Sequence, residues 1–319
     1  MRNHIAYMLA VALSLTFVLG AAWAETPEDP LPPELQELPE ILDDEAEGLE
    51  LIRRFDRAQT ELARWDFTMA RQHFDAGEED AAEAKMDDAR HRIDLIKQAY
   101  EKFLEAYPEN AKAHNHLGEL IYDFEGDEPR GLALWQKALE LDPDLPMPHN
   151  NLAIHLCHGG QYEDGFRHLD RALELDPENP DFLYNAVQIY FTNTPQAQEH
   201  YGWDDEELYA EGMRLSKKAM ELSPEDFSLA QDYAVNFFGA DRFGVEPDWN
   251  EAADAWERAR GLATRQDDIF MSWLNEGRAA MRAEDYARVE RCLEKALEIH
   301  PDSGVAQRLL EEARQAQAQ

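Results

Sequence analysis

One short phrase recurs along this chain of 319 residues and constrains its fold more than any other feature. "ALELDP" stands at 138–143 and again at 172–177, with the variants "AMELSP" at 219–224 and "ALEIHP" at 296–301. Together with Pro108, the prolines that close these phrases are Pro143, Pro177, Pro224 and Pro301. The first two intervals are nearly equal, the third is longer, and the last fits two units with insertions. A period of about 34 residues indicates an array of similar units, each stacked on the next.

Each unit reads as a pair of helices. In residues 146–179, apolar residues recur at helical spacing, Gly159-Gly160 interrupts the first helix, and a second apolar stripe follows. Pro177 ends the second helix, because the residue before a proline is displaced from the helical region. The alanine that opens the phrase, Ala172 in this unit, predicts a close crossing of two helices.

The pattern resembles the tetratricopeptide repeat (TPR) family, whose units are helix pairs of about 34 residues. The units carry the family's motif residues as follows: Leu117-Gly118, Trp135, Ala138 and Pro143 in 112–145; Leu152-Ala153, Tyr162, Leu169, Ala172 and Pro177 in 146–179; Tyr190, Ala219 and Pro224 in 180–226; Tyr233-Ala234, Phe237, Ala252, Trp256 and Ala259 in 227–269; and Trp273, Gly277, Tyr286, Leu293, Ala296 and Pro301 in 270–303. The third and fourth units hold about 13 and nine extra residues, and the fourth lacks the closing proline.

The resemblance implies an all-α fold, a right-handed solenoid of helix pairs. Upstream, residues 48–108 predict a hairpin of two long helices that serves as a divergent repeat and N-terminal cap. Residues 304–319 predict an amphipathic helix that caps the last repeat, since end units need a wettable outer face. Residues 25–47 are acidic and hold five prolines, which predicts a disordered tether.

The N-terminal segment 1–24 has the composition of a secretory signal peptide. Arg2 precedes an apolar run from Ile5 to Gly20, and Ala22-Trp23-Ala24 has the form of a cleavage site. We therefore expect an exported, periplasmic or secreted protein that is cut after Ala24. The alternative is an uncleaved membrane anchor, because residues 5–24 are long enough to span a bilayer.

Composition narrows the function classes. Lys and Arg number 30 against 67 Asp and Glu, so the net charge is −37. A chain of this charge repels nucleic acid and anionic lipid, whereas salty surroundings or a basic partner would both be compatible with it. Cys157 and Cys292 are too few for a disulfide framework and are predicted to lie about four repeats apart.

No catalytic motif, phosphate loop or paired-cysteine metal motif is found, so we predict a non-catalytic protein without a cofactor. One histidine cluster leaves an alternative open. His155 and His158 stand at i and i+3, share a helix face and could hold a soft metal with His114 or His116. The second hypothesis is therefore a TPR-like region that carries a cryptic metal or enzymatic site at this cluster.

In TPR arrays the first helix of each pair lines the concave face, so the resemblance implies a groove for a protein or peptide partner. Asn151 and Asn185 occupy one slot in consecutive units, and Asn275 fills the same slot in the fifth unit. A carboxamide both donates and accepts, so such a ladder could hold a peptide backbone. An ordinary inter-repeat hydrogen bond is the competing explanation.

The predicted peptide-binding residues are Asn115, Asn151, Asn185, Asn275, Tyr184, Phe191, Phe238, Arg278 and Arg282. The two arginines would favour an acidic end of the ligand. The chaperone-tail type of TPR needs cations in consecutive repeats, and Lys112 is the one cation in the slots of units one to four.

Two insertions lie between the helices of consecutive units, at 193–207 and 239–250. They carry large aromatic residues, namely Tyr201, Trp203, Phe243 and Trp249. Because equivalent loops of stacked repeats lie on the same edge, we predict that the insertions touch and form one wall beside the groove. Two independent flexible loops are the alternative.

Overall fold

The computed structural model describes residues 35–318, which fold into helices joined by turns. The predicted signal peptide and residues 25–34 lie outside this part. The all-α solenoid class predicted from the sequence is confirmed. By its internal contacts the chain divides into two compact units, with the boundary between Leu152 and Ala153.

The first unit begins with the long hairpin. Its helices are α1 (Glu45–Asp75), α2 (Glu79–Ala106), α3 (Ala111–Leu120) with a π-helical turn at Ile121–Glu125, and α4 (Glu128–Leu141), followed by the start of α5 (Pro146–His158). Phe55, Tyr100 and Phe103 are fully buried where the hairpin packs on itself and on α3. A buried Asp66 accepts hydrogen bonds from Lys85 and Arg92 across the hairpin, at 2.9 and 2.7 Å.

The prediction that residues 25–47 form a disordered tether is wrong for residues 35–47, the part that the structure describes. Leu35 is buried, and its carbonyl accepts a 2.8 Å hydrogen bond from Gln59 of α1. The hydroxyl of Tyr107 donates to the carbonyls of Leu42 and Asp43, at 2.7 and 2.9 Å. Apolar residues spaced among the acids and prolines therefore fasten residues 35–44 to the hairpin, which composition alone did not reveal.

The second unit holds the remainder of α5 and ten further helices within the described residues. They are α6 (Tyr162–Leu175), α7 (Pro180–Thr192), α8 (Thr194–Tyr201), α9 (Asp205–Leu222), α10 (Phe227–Asn236) with a 3-10 turn at Phe237–Gly239, α11 (Ala240–Phe243), α12 (Trp249–Leu262), α13 (Gln266–Arg282), α14 (Tyr286–Ile299) and α15 (Gly304–Gln317). α8 and α11 are the short helices of the two insertions. α15 packs on the last pair through Ala306, Leu310 and Ala313, as expected of a cap.

The recurring phrase works as the sequence predicted. Its four alanines, Ala138, Ala172, Ala219 and Ala296, are at most 1% exposed. Each second helix that carries the phrase ends two positions before its proline. The close crossing is visible at Gly165 of α6, where an added Cβ would lie 2.5 Å from the sulfur of Cys157 on α5. Both cysteines are buried and free.

Most linkers that follow these prolines also start the next helix, which the sequence reasoning missed. The residue two positions after the proline caps that helix with its side chain, because the first backbone N–H groups of a helix lack partners. Asn110 accepts from Ala113 N at 2.8 Å and Asp226 from Ser228 N at 2.7 Å. Asn179 and Ser303 play the same part for α7 and α15.

Within residues 35–318, no helix is both long enough and apolar enough to cross a membrane.

Candidate ligand-binding face

Inter-repeat hydrogen bonds engage the residues at two of the predicted ladder positions, Asn151 and Asp232. Between the first and second repeats, Asn151 donates to the Glu119 carboxylate at 2.8 Å and to Asn115 Oδ1 at 3.3 Å. Between the third and fourth repeats, Gln188 of α7 donates to Asp232 of α10 at 2.8 Å. Glu119 and Gln188 occupy the same slot of their repeats, one helical turn after the ladder position. The competing explanation, an inter-repeat hydrogen bond, therefore describes Asn151.

The carboxylates in these bonds are electrostatically distinct. Burial would raise the pKa of Glu119, but hydrogen bonds from His116, Asn151 and Asn115 outweigh burial and lower that pKa. Asn115 is itself 1% exposed and donates to Glu119 at 2.9 Å. The Glu119 side chain is 29% exposed, but both amides already have this carboxylate as a partner within the protein.

Asp232 behaves in the opposite way. Burial raises its pKa, although Ser216, Asn236 and Gln188 all donate to its oxygens. Where other units have asparagine, Asp232 of the fourth unit joins three donors from three helices. In the preceding unit, Asn185 at the ladder position is half-buried, as is Tyr184.

The structure brings four predicted residues together at the end of α13. The guanidinium of Arg278 lies over the Phe238 ring at 4.7 Å, and that of Arg282 over the Trp249 ring at 4.1 Å. The two rings are 5.9 Å apart. The ladder residue Asn275 joins them, since its Oδ1 accepts from Arg278 at 2.9 Å, although Asn275 is only 5% exposed. A guanidinium over an aromatic face is held by the quadrupole of the ring.

The two arginines differ in their free donors. Arg282 is bidentate to Asp241 of α11, at 2.9 and 3.0 Å, and lies 3.9 Å from Glu246. Hydrogen bonds from Arg282 lower the pKa of Asp241. Within the part of the chain that the structure describes, Arg278 has no carboxylate oxygen within 4.0 Å. Arg278 is therefore the exposed cation of this cluster that remains open to a ligand.

The insertions contact each other, as predicted. Arg242 of α11 donates to the Thr194 hydroxyl at 3.0 Å and to the carbonyl of Phe191 at 2.8 Å. Phe243 packs on Phe191, with ring centroids 5.5 Å apart. Since Asp241 holds Arg282, adjacent residues of α11 fasten the second insertion to both neighbouring repeats. Sequence reasoning missed Asp241 and Arg242, whose opposite charges in an acidic loop are the available signal.

The remaining loop aromatics lie elsewhere. Tyr201 stacks on Trp203 at 4.3 Å, and both rings approach Tyr190 of α7 at 5.4 and 5.5 Å. The hydroxyl of Tyr201 donates to Asp170 of α6 at 2.7 Å. These contacts fix the first insertion to its own repeat through Tyr190 and to the preceding repeat through Asp170, so the four loop aromatics do not form one cluster.

Two exposed apolar side chains occupy first-helix slots. They are Val235 on α10, 45% exposed, and Met271 on α13, 41% exposed. Two other large apolar residues of 35–318 are similarly exposed, Leu222 at 39% and Val305 at 44%. Leu222 ends a second helix and Val305 begins the capping helix, so these two lie outside the first-helix slots.

Among the described residues, the structure adds no third metal ligand to the pair His155 and His158. His155 is half-buried and His158 exposed on α5. In the described range, no group of three or more His, Cys, Asp or Glu side chains is arranged to hold a metal ion.

Comparisons with known proteins give similarity at the level of fold. No protein-family model matches the chain. A stretch of 163 residues, 50% of the chain, is 32% identical to the protein CTR9 homolog of Arabidopsis thaliana, and the chain spans only 14% of that protein's length. Among solved structures, YrrB, described as a TPR protein with an unusual peptide-binding site, is 19% identical with a TM-score of 0.48, over 66% of this chain and 97% of that one. PilF of Pseudomonas aeruginosa is 17% identical with a TM-score of 0.49, over 80% of this chain and 99% of that one.

This chain itself shows three features of a repeat array. Its phrase recurs with a period, each period holds a pair of helices, and the alanine of each phrase is buried. Together they show that residues 112–303 form a periodic array of paired helices, an all-α solenoid that resembles tetratricopeptide repeats.

Proposed function

We propose that this protein is an exported, non-catalytic scaffold that binds an extended segment of another protein on the first helices of its repeats. The main support for this proposal is the position of Val235 and Met271. They are 45% and 41% exposed in first-helix slots of neighbouring repeats. Contiguous exposed apolar surface is typical of interaction sites, and the half-buried Phe238 stands three residues after Val235.

Two neighbouring side chains, Phe238 and Arg278, suit a peptide ligand. The guanidinium of Arg278 lies over the half-buried Phe238 ring and offers N–H donors. An aromatic anchor with an adjacent arginine is the composition that dominates the energy of protein interfaces. Asn115, Asn151 and Asp232 are bonded internally, so they shape the face and leave ligand contact to the apolar and arginine positions.

A selection experiment with matched variants tests the proposal. A phage-displayed library of random peptides is selected on the purified chain, and enriched peptides are measured against two double variants. Val235→Asp with Met271→Asp places charge on the proposed face. Leu222→Asp with Val305→Asp adds the same charge at residues of nearly equal exposure off that face.

We expect the first double variant to weaken the selected peptides at least tenfold, because each substitution removes apolar contact and leaves a desolvated carboxylate. The second should bind like the unmodified chain. Equal weakening in both double variants, or in neither, would place the binding site elsewhere and refute the proposed face.

Export is proposed from the sequence of residues 1–24 alone. Intact-mass measurement of the protein isolated from its native cells should give a chain that begins at Glu25, in the soluble extracytoplasmic fraction. A chain retaining Met1 that sediments with membranes would instead support the anchor.

A further inference from the structure

We infer that the bound segment carries an acidic side chain that is taken by Arg278, with apolar neighbours resting on Val235 and Met271. The inference rests on the proposed function, because it specifies what the first-helix face of α10 and α13 recognises. It differs from the sequence prediction, which gave Arg278 and Arg282 the same role.

Arg278 is built to hold a carboxylate. Its guanidinium lies 4.7 Å from the centre of the Phe238 ring, and one N–H donates to Asn275 at 2.9 Å. Asn275 is only 5% exposed, so it fixes that end of the guanidinium. A guanidinium has five N–H donors in a planar fork, and the remaining donors can meet both oxygens of one carboxylate.

Arg282 cannot share this role. Both of its terminal nitrogens donate to Asp241, and Glu246 lies 3.9 Å away. The charges of these two carboxylates are therefore directed at Arg282. The charge of Arg278 is not cancelled by the insertion.

The local charge opposes that of the whole chain. The net charge is −37, and most cations near Arg278 in the sequence are paired, as Arg282, Arg288 and Arg260 are. Among residues 35–318, Arg278 is an exposed arginine with no carboxylate oxygen within 4.0 Å, on a face that also carries two exposed apolar residues. Such a face complements a segment in which acidic and apolar residues alternate.

The test uses three labelled decapeptides, acetylated and amidated so that they carry no terminal charge. Leucine alternates with aspartate in the first, with asparagine in the second and with lysine in the third. A fourth peptide repeats the asparagine series with a free C-terminal carboxylate. Fluorescence anisotropy with the full chain, at fixed salt, gives the four affinities.

We expect the aspartate peptide to bind at least tenfold more tightly than the asparagine peptide, since hydrogen bonds to a charged partner are the stronger ones. Arg278→Gln should abolish this preference, and Arg278→Lys should restore only part of it, because lysine keeps the charge and loses the planar fork. Arg258→Gln, at an exposed arginine of α12, is the matched control and should change nothing.

The other outcomes separate the inference from the proposed function. If the asparagine peptide binds equally well and Val235→Ser weakens both, the face binds peptides but Arg278 does not read an acid. A preference for lysine, or for the free carboxylate over internal aspartates, also overturns the inference. Failure of all four peptides contradicts it too, while the library selection still decides the proposed function.

Discussion

Glu276 of α13 is a buried carboxylate that pairs with arginines of both neighbouring helices, Arg260 of α12 and Arg288 of α14. Its side chain is fully buried and its carboxylate accepts hydrogen bonds from Arg288, at 2.8 Å, and from Arg260. The guanidinium of Arg260 also lies 3.4 Å from the centre of the Trp273 ring. Glu276→Gln keeps the shape but replaces one acceptor oxygen by an amide nitrogen that would face guanidinium donors.

The cost follows from what the two arginines retain. Removing one partner of a buried ion pair costs about 3–5 kcal/mol when the other is stranded. Arg288 keeps Asp254 and Glu257, at 2.6 and 3.0 Å. Arg260 keeps Glu257 at 3.5 Å, so neither arginine is left without a carboxylate partner. We therefore expect about 2–3 kcal/mol from Glu276→Gln, a drop in Tm of roughly 5–10 °C for a unit of this size.

The assay is thermal unfolding followed by circular dichroism, with hydrogen exchange to locate the loss in α13 and α14. Asp254→Asn is the control, because it removes the other kind of Arg288 contact, an ion pair whose carboxylate side chain is 69% exposed. Exposed pairs contribute about 0–1 kcal/mol. If Glu276→Gln lowers Tm no more than Asp254→Asn, the argument that burial makes this carboxylate important is refuted.

Three further outcomes are expected. Burial raises the pKa of Asp123 to about 7, so the folded protein binds its proton more tightly than the unfolded chain and loses stability as pH rises from about 4 to 7; Asp123→Asn should therefore raise Tm at pH 8 and leave it unchanged at pH 4, and equal shifts at both would contradict this. Asp241→Asn frees Arg282 and should speed hydrogen exchange in the 239–250 insertion while leaving α14 unchanged; unaltered exchange would show that the pair does not hold the insertion. Gly165→Ala places a Cβ 2.5 Å from a sulfur and should cost about 1–3 kcal/mol, whereas Gly261→Ala, with open space around it, should stabilise by roughly 0.5–1 kcal/mol; equal melting temperatures would show that the helix crossing is not tight.

The period of the repeated phrase was enough to predict most of the fold. A phrase that repeats at a near-constant spacing identifies which alanines are buried and where each helix ends, because every unit solves the same packing problem. It did not identify the caps at Asn110, Asn179, Asp226 and Ser303, although these stand at one fixed position after their prolines. Three residue types serve there, so a search for identical letters passes over them.

The sequence predicted the residues of the candidate site but not their contacts. Phe238, Trp249, Asn275, Arg278 and Arg282 were all named from the sequence, and they do meet. Their pairing could not be predicted, since it depends on which side chain the neighbouring repeat presents.

The ladder shows the same dependence on neighbours. Asn151 donates a hydrogen bond to Glu119, and Gln188 donates one to Asp232. Val235 stands in the slot that Glu119 and Gln188 occupy in their repeats, and its apolar side chain can form no such bond. The insertions were irregular in sequence, so their short helices and the opposite contacts of Asp241 and Arg242 became visible only in three dimensions.

Site-specific photocrosslinking tests whether a partner binds the first-helix face in the cell. The photoreactive amino acid p-benzoylphenylalanine is introduced at Met271, on the proposed face, or at Val305, which is equally exposed on the capping helix. After irradiation of intact native cells, mass spectrometry identifies the captured proteins. We expect one set of crosslinked peptides at Met271 that is absent at Val305 and is lost when Val235→Asp is added. Identical crosslinks at both positions, or crosslinks at Val305 alone, would contradict binding on the first-helix face.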